Sequence, residues 1–235
     1  MRTLRAVAGI LLIEDDAAAR HLLRVLLERD SHAVWEAASP DDGWKVLEET
    51  ATPDLAIVDL RLGDASGIDL MRRLRADPLW GALPVVLCSA TPDRESVLSS
   101  AQLGAAAFLT KPYDALRIRA AVSKALATKW VRKHFEDPVT VTRRLSTDRD
   151  RVAQLAKHFF GEIQAALRLV IETEEERKAA LVQIAAFRRT AADLGLQTIE
   201  LALAEWEKAG VSHETVPALL KRAAVLGRLF MALGV

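Results

Sequence analysis

The stretch Ile10-Leu-Leu-Ile-Glu-Asp-Asp16 decides the fold of the first half of this chain, because it joins an apolar run directly to three acids. Four more short apolar runs follow, at residues 33–35, 55–58, 85–88 and 106–109. Each run is continuous rather than alternating, which is typical of parallel strands that helices cover on both faces. Segments with apolar residues at helical spacing separate the runs. The pattern predicts an α/β fold, a doubly wound five-stranded parallel sheet.

Composition excludes several classes of protein. The chain has 235 residues, of which 51% are hydrophobic and 27% charged, as in an ordinary globular protein of one or two domains. Its 32 basic residues balance 32 acidic ones, so no overall field attracts nucleic acid or an anionic membrane. A single cysteine, Cys88, excludes an internal disulfide framework. With no signal sequence and no membrane-spanning run, we expect a cytoplasmic protein with neither nucleic acid nor membrane as a partner.

The second half contains no convincing strand. Helical periodicity predicts helices near residues 147–170, 174–193, 196–208 and 213–233. Thr147 is a candidate N-cap and Gly195 a candidate helix end. Apolar stripes and short connections favour an antiparallel helical bundle. The predicted domains are therefore 1–130, a linker or helix extension at 131–145, and the bundle at 146–235.

Polar residues follow the predicted strands where each one ends. Glu14 and Asp15 follow the first strand, Asp59 the third, Ser89 the fourth, and Lys111 the fifth. In an open parallel sheet, ligands bind beyond the carboxyl ends of the strands. Converging carboxylates repel one another unless a cation lies between them, and an oxygen-only site suits Mg²⁺. The alternative for the first strand is that Glu14, Asp15 and Asp16 merely cap the first helix.

Five motifs carry a resemblance to a known family. They are Ile10-Leu-Leu-Ile-Glu-Asp-Asp, Leu55-Ala-Ile-Val-Asp-Leu-Arg-Leu, Gly67, Pro84-Val-Val-Leu-Cys-Ser-Ala and Gly104-Ala-Ala-Ala-Phe-Leu-Thr-Lys-Pro. With them, residues 8–128 resemble the receiver domain of two-component response regulators, a flavodoxin-like fold. The spacing of Asp59, Ser89 and Lys111 agrees with the family pattern. Gly63 departs from it, because the family usually has proline there.

The resemblance implies a role for each of these residues. Asp59 would accept a phosphoryl group from a histidine kinase or a small phosphodonor. Lys111 would pair with Asp59 and then with a phosphate oxygen, and Ser89 would donate a hydrogen bond to another. Phe108 would be the aromatic switch. Such a domain promotes its own aspartyl phosphorylation and dephosphorylation without being a conventional enzyme.

The same resemblance implies a magnesium site. Glu14, Asp15, Asp59 and the backbone carbonyl of Arg61 would hold Mg²⁺, which neutralises charge that develops on the transferred group.

A second resemblance covers residues 146–235. Ile184-Ala-Ala-Phe-Arg-Arg-Thr-Ala-Ala-Asp-Leu-Gly-Leu, followed by Ile199-Glu-Leu-Ala-Leu-Ala-Glu-Trp-Glu, looks like a histidine phosphotransfer domain. Ala185 stands where that family has its phosphorylated histidine, Arg188 where it has lysine, and Arg189 where it has glycine. Alanine accepts no phosphoryl group, so the resemblance implies a pseudo-phosphotransfer domain that acts by binding.

The leading hypothesis is a response regulator that signals through protein–protein binding. Its expected partners are a sensor histidine kinase or phosphotransfer protein, another receiver, or a second copy of the chain. One alternative is a phosphorelay transferase that uses His158, a residue predicted to be half-buried at the edge of the core. Others are a transcriptional regulator with an unrecognised helical DNA-binding output and a bundle that only dimerises receivers.

Overall fold

The chain folds into two structural units, residues 1–130 and residues 131–235. The structure is a computed structural model. It describes residues 8–49, 53–77, 79–91, 93–127, 135–166, 174–209, 223–228 and 230.

A parallel sheet of five strands forms the centre of the first unit. The strands are β1 Gly9–Ile13, β2 Ala33–Ala37, β3 Leu55–Asp59, β6 Val85–Ser89 and β7 Ala107–Thr110. Their order in the sheet is β2-β1-β3-β6-β7, and every neighbouring pair is parallel. All five predicted strands are confirmed. The chain adds β2 on one side of β1 and the remaining strands on the other, so the winding reverses between β1 and β3, where such folds bind ligands.

Five helices connect these strands, and a small hairpin follows β3. The helices are α1 Ala17–Glu28, α2 Pro40–Glu49, α3 Gly67–Ala76, α4 Arg94–Gln102 and α5 Ala115–Leu126. The hairpin pairs β4 Arg61–Leu62 with β5 Ala65–Ser66 in antiparallel fashion. Sequence patterning did not predict this hairpin.

Alternate residues of the strands face opposite sides of the sheet, and both sides are buried in the central strands β1, β3 and β6, whereas the edge strands β2 and β7 are partly exposed. Ile10 and Leu12 of β1 join a core cluster that includes residues of α1 and α5. The residues between and after them, Leu11 and Ile13, point to the other side and are equally buried. Burying one such side chain contributes about 1.5–3 kcal/mol. Burial on both sides explains why the apolar runs are continuous.

The described part of the second unit is helical. Its elements are α6 Pro138–Arg144, α7 Arg149–Ala166, α8 Glu174–Asp193 and α9 Gln197–Ala209, with further helical residues at 223–228. The helices predicted for α7, α8 and α9 are confirmed. Most of the helix predicted at 213–233 lies outside the described residues. Among the residues that are described, no helix is long and apolar enough to cross a membrane.

The segment 131–145, predicted as a linker or an extension of the last receiver helix, contains the separate helix α6. Pro138 occupies the first turn of α6, where its missing N–H costs nothing. The N-cap prediction for α7 was wrong. The Arg151 N–H donates to Asp148 Oδ1 at 2.8 Å, so Asp148 rather than Thr147 caps the helix. Gly195 follows the last turn of α8, as predicted.

An aromatic cluster forms part of the core in the described residues of the second unit. Its members are Phe135, Phe159, Phe160, Phe187 and Phe230. Phe159 makes edge-on contacts with Phe160 and Phe187, with ring centroids 5.6 and 5.9 Å apart. Phe135 contacts Phe230 in the same manner at 5.3 Å. Such pairs add about 0.5–1.5 kcal/mol each beyond simple burial.

Candidate functional site

Three carboxylates meet where β1 and β3 end. Glu14 and Asp15 follow the last residue of β1, and Asp59 is the last residue of the neighbouring strand β3. One oxygen from each carboxylate lies within 4.8 Å of the other two. Glu14 and Asp59 are buried, at 1% and 7% exposure, whereas Asp15 is exposed. Negative charge is therefore concentrated in a largely desolvated place.

Asp16, the third acid of the run, has a different role. Its Oδ1 accepts a hydrogen bond from the Ala19 N–H at 2.7 Å and caps α1. Helix capping therefore explains Asp16 but neither Glu14 nor Asp15. Arg20 of α1 donates to the backbone oxygen of Glu14 at 2.6 Å and so fixes the chain at the start of the helix.

Lys111 bridges the two buried carboxylates. Its Nζ lies 2.7 Å from Glu14 Oε2 and 2.6 Å from Asp59 Oδ2. Burial lowers the pKa of the Lys111 ammonium, but the hydrogen bonds to Asp59 and Glu14 outweigh it and leave the pKa above its ordinary value. Lys111 is therefore a fixed positive charge in the site.

The Glu14 carboxylate is held on one side only. Its Oε2 accepts from Lys111 and, at 3.3 Å, from the Tyr113 hydroxyl. Its Oε1 is buried, and no donor within the described part of the chain reaches it. Burial raises the pKa of Glu14; the Lys111 hydrogen bond opposes this rise and the charge of Asp59 adds to it. A cation would satisfy such a buried oxygen, so the donor set fits a hard divalent ion.

The β4–β5 hairpin holds the third carboxylate. Asp15 Oδ2 accepts a hydrogen bond from the backbone N–H of Gly63 at 2.9 Å. Gly63 has φ +63°, in the left-handed region that proline cannot adopt. Proline would also lack the N–H. The departure from the usual proline at this position therefore gives Asp15 a hydrogen-bond partner.

Gly67, the first residue of α3, packs directly against the backbone of Asp59. A Cβ at this position would lie 2.1 Å from the Asp59 carbonyl oxygen, closer than any real contact allows. Gly67 also donates its N–H to the Leu60 oxygen at 2.9 Å. The α3 N-terminus can approach the end of β3 only because this residue has no side chain.

The remaining predicted residues lie on the two strands beyond β3. Ser89 is buried and follows Cys88, which pairs with Asp59 in the sheet. Its Oγ accepts from the Thr91 N–H at 3.2 Å. Phe108 is half-buried on β7 and pairs in register with Leu87.

Arg61 begins β4. Its N–H donates a long hydrogen bond, 3.4 Å, to Asp59 Oδ1.

Tyr113 is the residue of the site that sequence reasoning missed. Its ring lies 5.8 Å from Lys111 Nζ, and its hydroxyl reaches Glu14. Burial raises the pKa of this phenol, and the nearby carboxylates of Glu14 and Asp59 raise it further, so the hydroxyl stays protonated. Burial likewise raises the pKa of the Cys88 thiol to about 12, which makes Cys88 a poor nucleophile. The position of Tyr113, two residues after Lys111, was the signal that could have identified it.

The three residues of the predicted pseudo-phosphotransfer position differ in exposure and in their contacts. Ala185, Arg188 and Arg189 all lie on α8, where Ala185 is half-buried and Arg189 exposed. Arg188 Nε lies 2.9 Å from Glu207 Oε2 of α9, so its charge is already partnered.

The predicted half-burial of His158 was wrong. Its side chain is 73% exposed, and its Nε2 lies 3.2 Å from Glu162 Oε1 on the next turn of α7. The buried stripe of that helix includes Val152, Phe159 and Ile163.

Known proteins resemble the first half of the chain. Residues 10–123 match the family model described as the response regulator receiver domain. Over 122 residues the chain is 37% identical to the KDP operon transcriptional regulatory protein KdpE of Escherichia coli, covering 51% of this chain and 52% of that protein. It is 37% identical over 120 residues to the transcriptional regulatory protein AfsQ1 of Streptomyces coelicolor, covering 49% and 52%. With ResD of Bacillus subtilis, also a transcriptional regulatory protein, the identity is 30% over 147 residues, covering 60% and 59%. The chain thus spans about half the length of the curated relatives it matches.

Proposed function

Residues 10–123 form a response regulator receiver domain of a two-component system, and on that premise we propose that the chain is a response regulator whose phosphoacceptor is Asp59. The observation that supports this proposal is the position of Lys111, whose ammonium contacts both Asp59 and Glu14. A buried carboxylate beside a fixed positive charge is a nucleophile next to a group that can stabilise an incoming phosphate.

In the proposed reaction, an Asp59 carboxylate oxygen attacks the phosphorus atom of a phosphohistidine or a small phosphodonor. A P–O bond to Asp59 forms while the bond from phosphorus to the donor breaks, and the bonding pair leaves with the donor. Oδ1 is the less strongly held oxygen, because its contact with the Arg61 N–H is 3.4 Å whereas Oδ2 lies 2.6 Å from Lys111. We assign the attack to Oδ1.

Charge neutralisation is the second requirement of this chemistry. Glu14, Asp15, Asp59 and the Arg61 carbonyl would hold Mg²⁺, which when bound offsets the negative charge of the transferred group. The buried Glu14 Oε1, for which the described residues supply no donor, supports this assignment. Lys111 would move from the carboxylate to a phosphate oxygen, and the Ser89 hydroxyl would donate to another.

The response to phosphorylation would pass from Ser89 to Phe108 on the adjacent strand. Phe108 lacks a hydroxyl and is half-buried, so its ring would change position by packing alone. The two positions of the ring would bias a two-state domain and change its affinity for a partner. A sensor kinase or phosphotransfer protein would bind before the transfer, and another receiver or a second copy of the chain after it.

We also propose that the helical unit acts by binding, as a pseudo-phosphotransfer module. Ala185 offers no acceptor for a phosphoryl group, and the Arg188–Glu207 ion pair joins α8 to α9. Arg189 is exposed and could contact a partner. The full chain tests this proposal. Arg189→Glu should weaken binding of the kinase, phosphotransfer protein or receiver that the helical unit contacts, without changing the phosphorylation of Asp59.

The direct test of Asp59 is labelling with a radioactive small phosphodonor and Mg²⁺. Wild type should take up label that is lost in alkali, as an acyl phosphate is, and Asp59→Ala should take up none. Asp69→Ala is the matched control, because Asp69 is an exposed acid of α3 paired with Arg72 and should label like wild type. Label retained by a folded Asp59→Ala variant would overturn the assignment.

A phosphorelay through His158 is a second candidate, favoured by the exposure of that side chain and its contact with Glu162. It predicts label that survives alkali, is lost in acid and disappears in His158→Ala. Wild-type label that is wholly alkali-labile would exclude it.

Transcriptional regulation is a third candidate, because the matched relatives are named as transcriptional regulatory proteins. Those names count against our expectation of no nucleic-acid partner. Binding of duplex DNA that weakens steeply with salt would support this function.

A further inference from the structure

We infer that Tyr113 is a positioning residue for the cation site: its hydroxyl orients the Glu14 carboxylate so that Oε1 is presented to Mg²⁺. The inference rests on the proposed function, since it assumes that this pocket binds the ion. It concerns a residue to which the receiver resemblance assigned no role.

The two carboxylate oxygens of Glu14 have different surroundings. Lys111 Nζ and the Tyr113 hydroxyl both donate to Oε2, at 2.7 and 3.3 Å. Oε1 is buried and receives no hydrogen bond from the described residues. Two donors on one oxygen restrict rotation of the carboxylate and leave the other oxygen available to a cation.

The two donors are not equivalent once a phosphoryl group arrives. Lys111 also holds Asp59, and in the proposed reaction its ammonium moves to a phosphate oxygen. Tyr113, whose hydroxyl also interacts with the neutral Cys88 thiol, has no charge that a phosphate oxygen would attract. Its ring packs partly against the core cluster beneath the sheet, so the hydroxyl stays in place while the charges around it change. Tyr113 would therefore keep Glu14 oriented during the transfer.

The length of the hydrogen bond sets the size of the effect. At 3.3 Å it is longer than the usual O–H···O distance of about 2.7–2.8 Å, so its contribution lies at the lower end for a bond to a charged group. Tyr113→Phe removes only the hydroxyl and keeps the ring. We expect the affinity for Mg²⁺ to fall about threefold to tenfold, with little change in the thermal unfolding of the metal-free protein.

The test is calorimetric titration of the full chain with Mg²⁺, as wild type, Tyr113→Phe and Ser100→Ala. Ser100 provides the control, because its hydroxyl is also buried but donates to the Val97 oxygen within α4. Ser100→Ala should bind Mg²⁺ like wild type. Because the chain contains a single tyrosine, tyrosine labelled with ¹³C at Cζ alone gives one ring resonance in NMR, and this resonance should shift with the same midpoint as the titration.

The possible results are separable. Weaker binding by Tyr113→Phe together with a tyrosine shift in wild type would support the inference. Equal binding by wild type and Tyr113→Phe would overturn it and leave the magnesium site intact. Wild type that binds no Mg²⁺ would overturn both the inference and the proposed site. A metal-free Tyr113→Phe variant whose unfolding temperature is well below that of wild type would overturn the inference and indicate that Tyr113 has a structural role.

Discussion

Removing the positive charge of Lys111 is the most informative single perturbation of this pocket. In Lys111→Met, two carboxylates with side-chain exposures of 1% and 8% would lose the ammonium that lies 2.7 and 2.6 Å from them. Breaking a buried ion pair by removing one partner costs about 3–5 kcal/mol. Lys111 is 19% exposed and Glu14 can take up a proton, so we expect a loss at neutral pH of about 2–4 kcal/mol in the free energy of unfolding.

The pH dependence of this loss has a definite sign. The pKa of Glu14 is already raised above its ordinary value of 4.5 in the folded protein, chiefly by burial. Between 4.5 and the raised pKa, the folded state binds more protons than the unfolded state, so stability falls as pH rises through that range. Without Lys111 the pKa of Glu14 rises further. The deficit of Lys111→Met should therefore grow from pH 4.5 to neutral pH.

Urea unfolding at several pH values, with and without Mg²⁺, measures this deficit. Asp59→Asn is the companion variant, since it removes one negative charge and leaves the Lys111–Glu14 pair intact. It should lose less than about 1 kcal/mol, because a buried charge that loses its partner is what costs most. Mg²⁺ should restore part of the stability of Lys111→Met by binding only the folded state. A Lys111→Met variant as stable as wild type at neutral pH would refute this account of the pocket.

Three further substitutions test other contacts. Gly67→Ala should lose about 1–3 kcal/mol of stability and label poorly, because its methyl group would displace α3 from the Asp59 carbonyl; urea unfolding and phosphodonor labelling measure both effects. Gly63→Pro, although it restores the usual family residue, should be destabilised by about 1–3 kcal/mol and bind Mg²⁺ more weakly in calorimetry, because proline can neither adopt φ +63° nor donate to Asp15. Arg144→Met removes the hydrogen bonds to the last carbonyls of α8 and should lower the free energy of unfolding by about 1 kcal/mol, measured by urea unfolding followed by circular dichroism. Wild-type stability in any of the three would contradict the contact assigned to it.

The sheet and most of its site could be predicted because their signals are local in the sequence. Continuous apolar runs indicate buried parallel strands, and an acid or lysine at a strand end is brought to the same edge as its neighbours by the topology alone. Glu14, Asp59 and Lys111 are the clearest examples. Tyr113 escaped because an aromatic residue before a helix is explained equally well by packing. Only the structure shows its hydroxyl reaching a residue so distant in the sequence.

The errors in the second unit have physical causes as well. The segment that forms α6, Pro138–Arg144, is rich in β-branched residues of low helix propensity, so its sequence alone does not indicate a separate helix. Tertiary contacts override that preference: Arg144 binds Glu136 and the end of α8. His158 is adjacent in sequence to Phe159 of the apolar stripe of α7. One residue corresponds to about 100° of rotation on a helix, which is enough to turn the His158 side chain to solvent.

The contact between Phe135 and Phe230 has a consequence for how the helical unit folds. It joins the beginning of the unit to a residue far along the chain, and the rest of the aromatic cluster connects to it through Phe160. Forming this contact closes a long loop of chain, and the packing of the helices between the two residues must offset the entropy cost of that closure. Shortening the chain before Phe230 should then cause loss of the whole unit in a single transition instead of fraying at one end.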